Sequence, residues 1–247
     1  MKGGLQAAMK LLLHACCGPC SLEPVRLLLE EGHDITICFA NSNIHPRAEY
    51  DHRLEVLRTW AAEEGLPVVD LPYNDAAWHA QVGVLEEKGS PREDRCRACY
   101  HMRLEEAACY ASKHGFEALS TTLAVSPYQF SEACHEELQA ACERHGLICI
   151  WQDFRPYYAD ATKRSRELGM YRQNYCGCTY SKAEAQAERE QRAAEKAAAA
   201  KAREAEQAQL KAERRERQAE YDRKQALKRA AREAYRASVR AEDEWQG

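Results

Sequence analysis

The last quarter of the chain lacks the residues that mark the turns and core of a globular domain. All 12 cysteines, all 8 prolines and 11 of the 12 glycines lie before Lys182. Residues 182–247 consist almost wholly of Ala, Glu, Gln, Lys and Arg, which are strong helix formers, and they carry no sustained apolar heptad. We expect a globular domain over residues 1–181, followed by a solvated, partly frayed helical tail over residues 182–247. The tail is either a dispensable extension or a weak RNA-contacting arm.

A long hydrophobic run is also missing. The N-terminal apolar run, residues 11–13, is flanked by Lys10 and His14 and is too short for the core of a signal peptide. No stretch approaches the roughly 20 apolar residues of a membrane span. We therefore expect a soluble, cytoplasmic protein with no membrane partner. Thiols stay reduced in that compartment, so clustered cysteines indicate metal or redox chemistry there more than structural disulfides.

The globular part has no excess of positive charge. Residues 1–181 contain 18 Lys and Arg against 25 Asp and Glu, whereas the tail contains 17 against 14. The overall net charge of −4 therefore combines two regions of opposite sign. An acidic front argues against a broad nucleic-acid-binding surface, although it leaves room for a local basic patch.

Strand-like and helix-like segments alternate along the first 181 residues. Strands are predicted at 10–15, 35–40, 67–71, 118–123 and 147–151. Helices are predicted at 21–31 (with Ser21 as N-cap), 47–64, 75–84, 97–114, 131–145 and 161–172. This rhythm predicts an α/β fold, a doubly wound and mainly parallel sheet with helices on both faces. Ligands bind such sheets at the carboxyl ends of the strands.

Three close-spaced cysteine groups are the strongest chemical signal. They are CCGPC at Cys16, Cys17 and Cys20, CRAC at Cys96 and Cys99, and CGC at Cys176 and Cys178. Four thiolates can hold a [4Fe–4S] cluster, although zinc accepts the same ligands. Seven cysteines exceed the four that one centre needs, which favours a redox site with a cluster plus a second metal or a dithiol pair. The other five cysteines are expected to be small buried apolar residues.

Several other side chains are candidates for contact with a substrate. They are His45, Tyr128, Gln129, Arg155 and Arg172. Aromatic rings can stack on a base and arginines can hold phosphates. Each candidate also has a structural interpretation: a satisfied polar histidine, a core aromatic or a surface ion pair. His14 has the same two interpretations as His45.

Longer motifs around these residues carry a family resemblance. In chain order they are LLLHACCGPCS (11–21), SNIHP (42–46), EYDHR (49–53), CRACYHMRL (96–104), TTLAVSPYQ (121–129), DFRP (153–156) and SRELGMYRQNYCGCTYS (165–181). Together they resemble the QueH-type epoxyqueuosine reductases, over residues 10–181 and not over the tail. The resemblance implies a PP-loop-type, Rossmann-like α/β domain. It also implies a tRNA-modifying oxidoreductase that converts epoxyqueuosine to queuosine at the wobble position of the anticodon.

The resemblance also implies roles for the first four cysteines of the site. Cys16, Cys17, Cys96 and Cys99 would ligate the [4Fe–4S] cluster. The partner would be tRNA carrying epoxyqueuosine in its anticodon loop, together with an electron donor that the sequence does not identify.

The remaining three cysteines would form the second component. Cys176 and Cys178 match the close pair of the family, which is viewed either as a redox-active disulfide or as ligands of an adjacent iron. Cys20 matches a position that varies between Cys and Asp, and is assigned to that second metal ion. On this hypothesis the cluster supplies electrons and the second iron polarises the epoxide.

Two other classes of protein compete with this interpretation. An ATP-pyrophosphatase-like tRNA-modifying enzyme would need a Gly/Ser-rich phosphate loop after the first strand, where this chain has CCGPC. A non-enzymatic zinc module that binds RNA would use the same thiols without iron or sulfide. ATP dependence and metal analysis separate these alternatives.

Overall fold

A five-stranded parallel sheet organises the first of two compact units into which the chain divides. A computed structural model describes the backbone of residues 8–245 and the side chains of residues 8–234. The first unit extends to Ala185 and the second begins at Gln186. The strands are β1 (Lys10–His14), β2 (Asp34–Phe39), β3 (Val68–Asp70), β4 (Ala118–Thr121) and β5 (Ile148–Cys149).

Helices connect successive strands. They are α1 (Gly18–Glu30), α2 (Arg47–Glu63), α3 (Asp75–Trp78), α4 (Val84–Glu87), α5 (Arg92–Lys113), α6 (Ser131–His145), α7 (Tyr158–Glu167) and α8 (Thr179–Trp245). A π-helical turn, His79–Gly83, joins α3 to α4, and short 3₁₀ turns cover Thr122–Val125 and Arg155–Tyr157.

The strand order identifies where a ligand site should lie. The order across the sheet is β3-β2-β1-β4-β5, and every pairing is parallel. The chain runs outward from β1 in one direction and then returns to add β4 on the other side. This reversal is the topological switch point, where doubly wound sheets bind ligands at the carboxyl ends of β1 and β4. The predicted doubly wound α/β fold is confirmed.

The core lies on both faces of the sheet. Leu11 and Leu13 of β1 pack on one face, in an apolar cluster that includes Leu57 of α2. Leu12 points to the opposite face, in a cluster that includes Leu104 of α5 and Leu138 of α6. Because β1 is buried on both faces, its sequence is a continuous apolar run without the alternation of a half-exposed strand.

Helices α1 and α5 begin earlier than the sequence predicts, and both differences concern cysteines. Helix α1 begins at Gly18, so Ser21 is not its N-cap; the Ser21 hydroxyl donates to the Cys17 carbonyl from within the first turn. The proline after Gly18 stabilises that start because it needs no N–H partner there. Helix α5 begins at Arg92, five residues before the prediction, and two acidic residues stabilise its first turn. Cys20 and both CRAC cysteines therefore lie inside helices.

Other boundaries shift by a few residues. Strand β4 ends at Thr121, two residues early, because the chain enters the 3₁₀ turn that carries Thr122 past the site. Strand β5 retains only two of the five predicted residues, and α7 begins at Tyr158.

The tail is helical, as its composition predicts. Helix α8 continues to Trp245, and its larger apolar side chains are exposed, including Leu210, Tyr221 and Leu227. Within residues 8–245, no helix combines the length and the apolar character that crossing a membrane requires.

Candidate active site

The CCGPC motif forms the turn between β1 and α1, at the switch point of the sheet. The sulfurs of Cys16, Cys17 and Cys20 all lie within 4.8 Å of one another. The backbone N–H of Cys16 donates to Thr122 Oγ1 at 3.2 Å, which fixes this turn against the end of β4. Gln173 Nε2 lies 2.8 Å from Cys17 Sγ and donates to it. Three thiols thus converge on one point from a single motif, and Cys20 lies with the two predicted cluster ligands.

Each of these three thiols changes the pKa of the others. Hydrogen bonds from Cys17 and Cys20 lower the pKa of Cys16 well below its usual value. The same pairing with Cys16 raises the pKa of Cys17 to about 12 and also raises the pKa of Cys20, and burial adds to both shifts. Only one of the three thiols therefore ionises readily by itself. Full deprotonation of the group requires a bound cation, as at thiolate metal sites.

The CRAC motif contributes two thiols from one face of α5. Cys96 and Cys99 are three residues apart and therefore lie one helical turn apart on the same side. Burial raises the pKa of Cys96 to about 12, and the charges of Cys176, Cys99 and Cys178 contribute to the shift. Trp78 Nε1 donates to Cys99 Sγ at 3.4 Å. The CRAC and CGC sulfurs thus lie within electrostatic reach of each other.

The CGC motif forms the turn that precedes α8. The Gly177 carbonyl accepts a hydrogen bond from the His45 N–H at 2.9 Å, and the Cys176 carbonyl accepts one from Arg53 Nη1 at 2.8 Å. Gln129 Nε2 lies 3.7 Å from Cys176 Sγ. Cys178 is buried, and its sulfur accepts the N–H of Ser181 at 3.3 Å. The loops after β2 and β4 therefore hold the close pair in place.

Two buried arginines connect the three cysteine groups. The charge of Arg53 faces Cys17 and Cys176, and that of Arg103 faces Cys99, Cys176 and Cys16. Both side chains are 1% exposed. Arg53 Nη2 and Arg103 Nη1 are buried and have no hydrogen-bond partner among the described residues. Soft sulfur donors beside buried guanidinium groups fit an anionic thiolate–metal centre.

Gly177 is the position in the CGC turn that has no room for a side chain. Its φ is +137°, and a Cβ would lie 2.9 Å from Ile44 Cγ1 and 3.2 Å from Arg53 Nη1. We expect Gly177→Ala to displace Cys176 and Cys178. Since a displacement of about 1 Å can slow an enzyme about 100-fold, we expect a decrease in turnover of that size. Steady-state assays on folded protein, checked by circular dichroism, measure the effect. Gly115→Ala is the matched control.

Gly115 also has a positive φ, +69°, but a Cβ there meets nothing within 4 Å. The control therefore contains a substitution at positive φ, of the milder left-handed helical kind, without the crowding. Equal activity of the two variants would contradict the close fit of the CGC turn.

His14 has a structural role. It is completely buried at the end of β1, with Nε2 3.2 Å from the Ala40 carbonyl and Nδ1 2.9 Å from Thr121 Oγ1. Because a carbonyl only accepts, Nε2 carries the proton and Nδ1 accepts from the Thr121 hydroxyl. Burial, with the nearby charge of Arg103, lowers the pKa of His14 to about 3. The ring is therefore a neutral link between strands and not an acid at neutral pH.

His45 lies beside the CGC turn. Its Nδ1 is 3.3 Å from the Tyr73 hydroxyl, and its ring packs on Trp78 and His79 at 5.1 Å and 5.0 Å. Its Nε2 is buried without a hydrogen-bond partner among the described residues, and burial lowers its pKa. A contact between His45 and substrate remains a prediction.

Tyr128 and Arg172 lie on the Cys20 side of the site. Tyr128 is 48% exposed, and its ring meets that of Tyr158 edge to face at 6.2 Å. Burial raises the pKa of Tyr158, the charges of Tyr128 and Cys20 add to the shift, and Arg172 opposes it. These four side chains therefore form one neighbourhood in which an exposed ring and a cation are available.

Arg155 is engaged in an exposed ion pair. Its Nη2 lies 2.6 Å from Asp153 Oδ2 and its Nε lies 2.8 Å from Asp153 Oδ1. It lines a groove of about 520 Å³ together with Phe130, His135 and Trp151. A role in holding phosphate would require the carboxylate of Asp153 to yield, and it remains a prediction.

The five cysteines outside the motifs are divided between the core and its margin. Cys38, Cys134 and Cys142 are buried as predicted, whereas Cys109 and Cys149 are half-buried. Cys142 and Cys149 form a hydrogen-bonded pair of thiols between α6 and β5.

Sequence analysis assigned no role to four side chains that support the cysteines. Arg53, Arg103 and Gln173 lie inside the motifs of the family resemblance, whereas Trp78 lies outside them. For Arg103 a signal was available, because Cys99 and Arg103 are four residues apart and share a helix face. The other three reach the sulfurs only through tertiary packing.

Comparison with known proteins identifies the family. A family model described as epoxyqueuosine reductase QueH matches residues 11–184. The chain belongs to the epoxyqueuosine reductase QueH family. A relative of that name from Dehalococcoides mccartyi is 35% identical over 178 residues, which cover 72% of this chain and 94% of the relative. Another, from Haemophilus influenzae, is 35% identical over 191 residues, which cover 76% of this chain and 77% of the relative. A third, from Acinetobacter baylyi, is 37% identical over 180 residues, which cover 70% of this chain and 81% of the relative.

Proposed function

We propose that this protein reduces epoxyqueuosine to queuosine at the wobble position of tRNA. The observation that carries the proposal is that the CCGPC thiols converge after β1 and that the buried Arg103 interacts electrostatically with thiols of all three motifs, in a chain of the QueH family. The reaction takes two electrons and two protons, removes the epoxide oxygen as water and leaves the cyclopentene double bond. It therefore needs a redox centre and a pocket for an extruded nucleobase.

The thiols fit the metal groups that this family implies. We propose Cys16, Cys17, Cys96 and Cys99 as the ligands of a [4Fe–4S] cluster. Cys176 and Cys178, with Cys20, would hold an adjacent iron or supply a redox-active dithiol. When bound, these groups would supply single electrons and Lewis acidity. The support is the soft donor set, the burial of Cys17, Cys99 and Cys178, and the buried guanidinium groups of Arg53 and Arg103.

The side chains around the thiols have distinct proposed tasks. Gln129 and Gln173 donate to the sulfurs of Cys176 and Cys17, and so orient them. Tyr128 presents an exposed ring on which a base can stack, and Arg172 places a cation nearby for a phosphate. Since phosphate contacts are electrostatic, binding of tRNA should weaken as salt is raised.

A direct assay tests this function. The protein is purified anaerobically, supplied with iron and sulfide, and incubated with epoxyqueuosine-containing tRNA and dithionite. We expect queuosine in the nucleoside digest, without added ATP, and none when the protein is omitted. Bound zinc in place of iron would support the RNA-binding zinc module, and a requirement for ATP would support the pyrophosphatase-like alternative. Iron-loaded protein that yields no queuosine would refute the proposal.

The charged tail is expected to be dispensable for this reaction. The Dehalococcoides relative is aligned over 94% of its length by 178 residues, which leaves no room for a comparable tail. We expect a chain ending at Ala185 to bind iron normally and to keep kcat/KM within about threefold. Assays at low and at physiological salt check this. A large rise in KM confined to low salt would instead support an RNA-contacting arm.

A further inference from the structure

Three arginines are buried around the cysteines, and one of them lacks an acidic partner. Arg53 pairs with Glu49 at 2.7 Å, and Arg95 pairs with Glu86 and Glu184. Arg103 is 1% exposed and donates to the Ala40 carbonyl and to the side-chain oxygen of Asn41, both neutral acceptors. Among residues 8–234, no carboxylate lies within ion-pair distance of it.

The groups that face Arg103 are sulfurs. Its charge acts on Cys99 first, then on Cys176 and Cys16, so it influences a thiol of each cysteine motif. Glu106, on the next turn of α5, feels the same charge, but it forms none of the ion pairs found among residues 8–234. Arg103 Nη1 is buried without an oxygen or nitrogen partner among the described residues, and the guanidinium interacts with the Cys99 thiol instead. An uncompensated guanidinium is costly to bury, so this position requires an anion that the acidic side chains do not supply.

We propose that Arg103 is a positioning cation of the metal centre, which balances the charge of the thiolate set and raises the reduction potential of the centre. The inference rests on the proposed function for the presence of iron at these cysteines. Its reach to Cys16, Cys99 and Cys176 places one charge against both the proposed cluster ligands and the close pair. A fixed positive charge stabilises the reduced form, because that form carries one more electron.

Reduction potentials of iron-loaded variants test the inference directly. Anaerobic redox titration followed by visible absorption gives the potential independently of turnover. We expect Arg103→Met to lower the equilibrium constant for one-electron reduction at least tenfold. This corresponds to a decrease of at least 59 mV in the reduction potential. Arg103→Lys keeps the charge and should recover most of the shift. Arg58→Met is the control, because Arg58 is an exposed arginine on α2 paired with Asp70.

A second variant tests the same charge without removing the arginine. Asn41→Asp places a carboxylate where the amide oxygen of Asn41 accepts from Arg103, so the pair becomes neutral. Because Asn41 Nδ2 also donates to the Ala15 carbonyl at 2.8 Å, Asn41→Leu, which loses that bond without adding charge, is its reference. We expect the potential of Asn41→Asp to fall in the same direction as that of Arg103→Met, with iron content retained. This variant keeps the test decisive if Arg103→Met fails to fold.

The outcomes separate this inference from the proposed function. Potentials of Arg103→Met and Asn41→Asp equal to that of the wild type would overturn the electrostatic role. A wild-type protein that takes up no iron would overturn it as well. A loaded protein that makes no queuosine but shows the predicted shifts would refute the function and leave the role of Arg103 standing.

Discussion

Cys99→Ser is expected to lose bound iron and sulfide and to reduce queuosine formation at least about 100-fold. Loss of a supporting contact around a metal typically costs 10–100-fold in affinity or activity, and loss of a ligand should cost more. Serine offers a harder oxygen that protonates at neutral pH, which makes it a poor substitute for a thiolate. Cys99 is also buried and receives the indole N–H of Trp78, so no other donor can replace its sulfur there without repacking.

The measurement combines iron and sulfide content with a single-turnover assay. Cys109→Ser is the matched control, since Cys109 lies on the same helix ten residues later and is only half-buried. Both variants lose one sulfur from α5, but only Cys99 faces another cysteine motif. A Cys99→Ser protein that retains normal iron and activity would remove the CRAC motif from the centre.

The double variant Cys176→Ser/Cys178→Ser is expected to abolish turnover while the absorption of the iron–sulfur chromophore persists. The close pair lies on a separate turn, held by Arg53 and by the His45 N–H, so its sulfurs can be removed without disturbing the CCGPC turn. The expected decrease in queuosine formation is at least about 100-fold. The iron content should fall only by the adjacent iron that the close pair is proposed to hold.

Cys142→Ser/Cys149→Ser is the corresponding control. These two thiols also interact with each other, but they lie between α6 and β5, away from the motifs. That variant should retain activity. If the absorption disappears in the Cys176/Cys178 variant, those residues hold the cluster themselves, and the proposed division between four ligands and a close pair is wrong.

Much of the fold could be predicted because the strands are simple. The apolar runs of β1 and β2, and the glycines that end their following helices, made the alternation of strands and helices readable. The limits of α1 and α5 were misplaced because polar and cysteine-rich stretches carry no apolar period. Pro19 and the acidic first turn of α5 were the available signals for those starts.

The cysteines of the site could be identified from their spacing, but their surroundings could not. Arg53 on α2 reaches the Cys176 carbonyl across more than a hundred residues of sequence, a contact that only the folded chain creates. The same is true of Trp78 against Cys99 and of Gln173 against Cys17. His14 is the opposite case: its position beside CCGPC suggested chemistry, and its burial between β1 and β4 makes it a strand link.

The order in which the thiols occur along the chain has a consequence for biosynthesis. Cys16 and Cys17 leave the ribosome with the first strand, the CRAC pair follows at mid-chain, and Cys176 and Cys178 come just before the long last helix. A nascent chain therefore exposes unpaired sulfur for most of its synthesis. On the proposed assignment, iron delivered too early would meet an incomplete set of donors, so maturation would have to wait until the last turn is made. The extension beyond that turn emerges only afterwards.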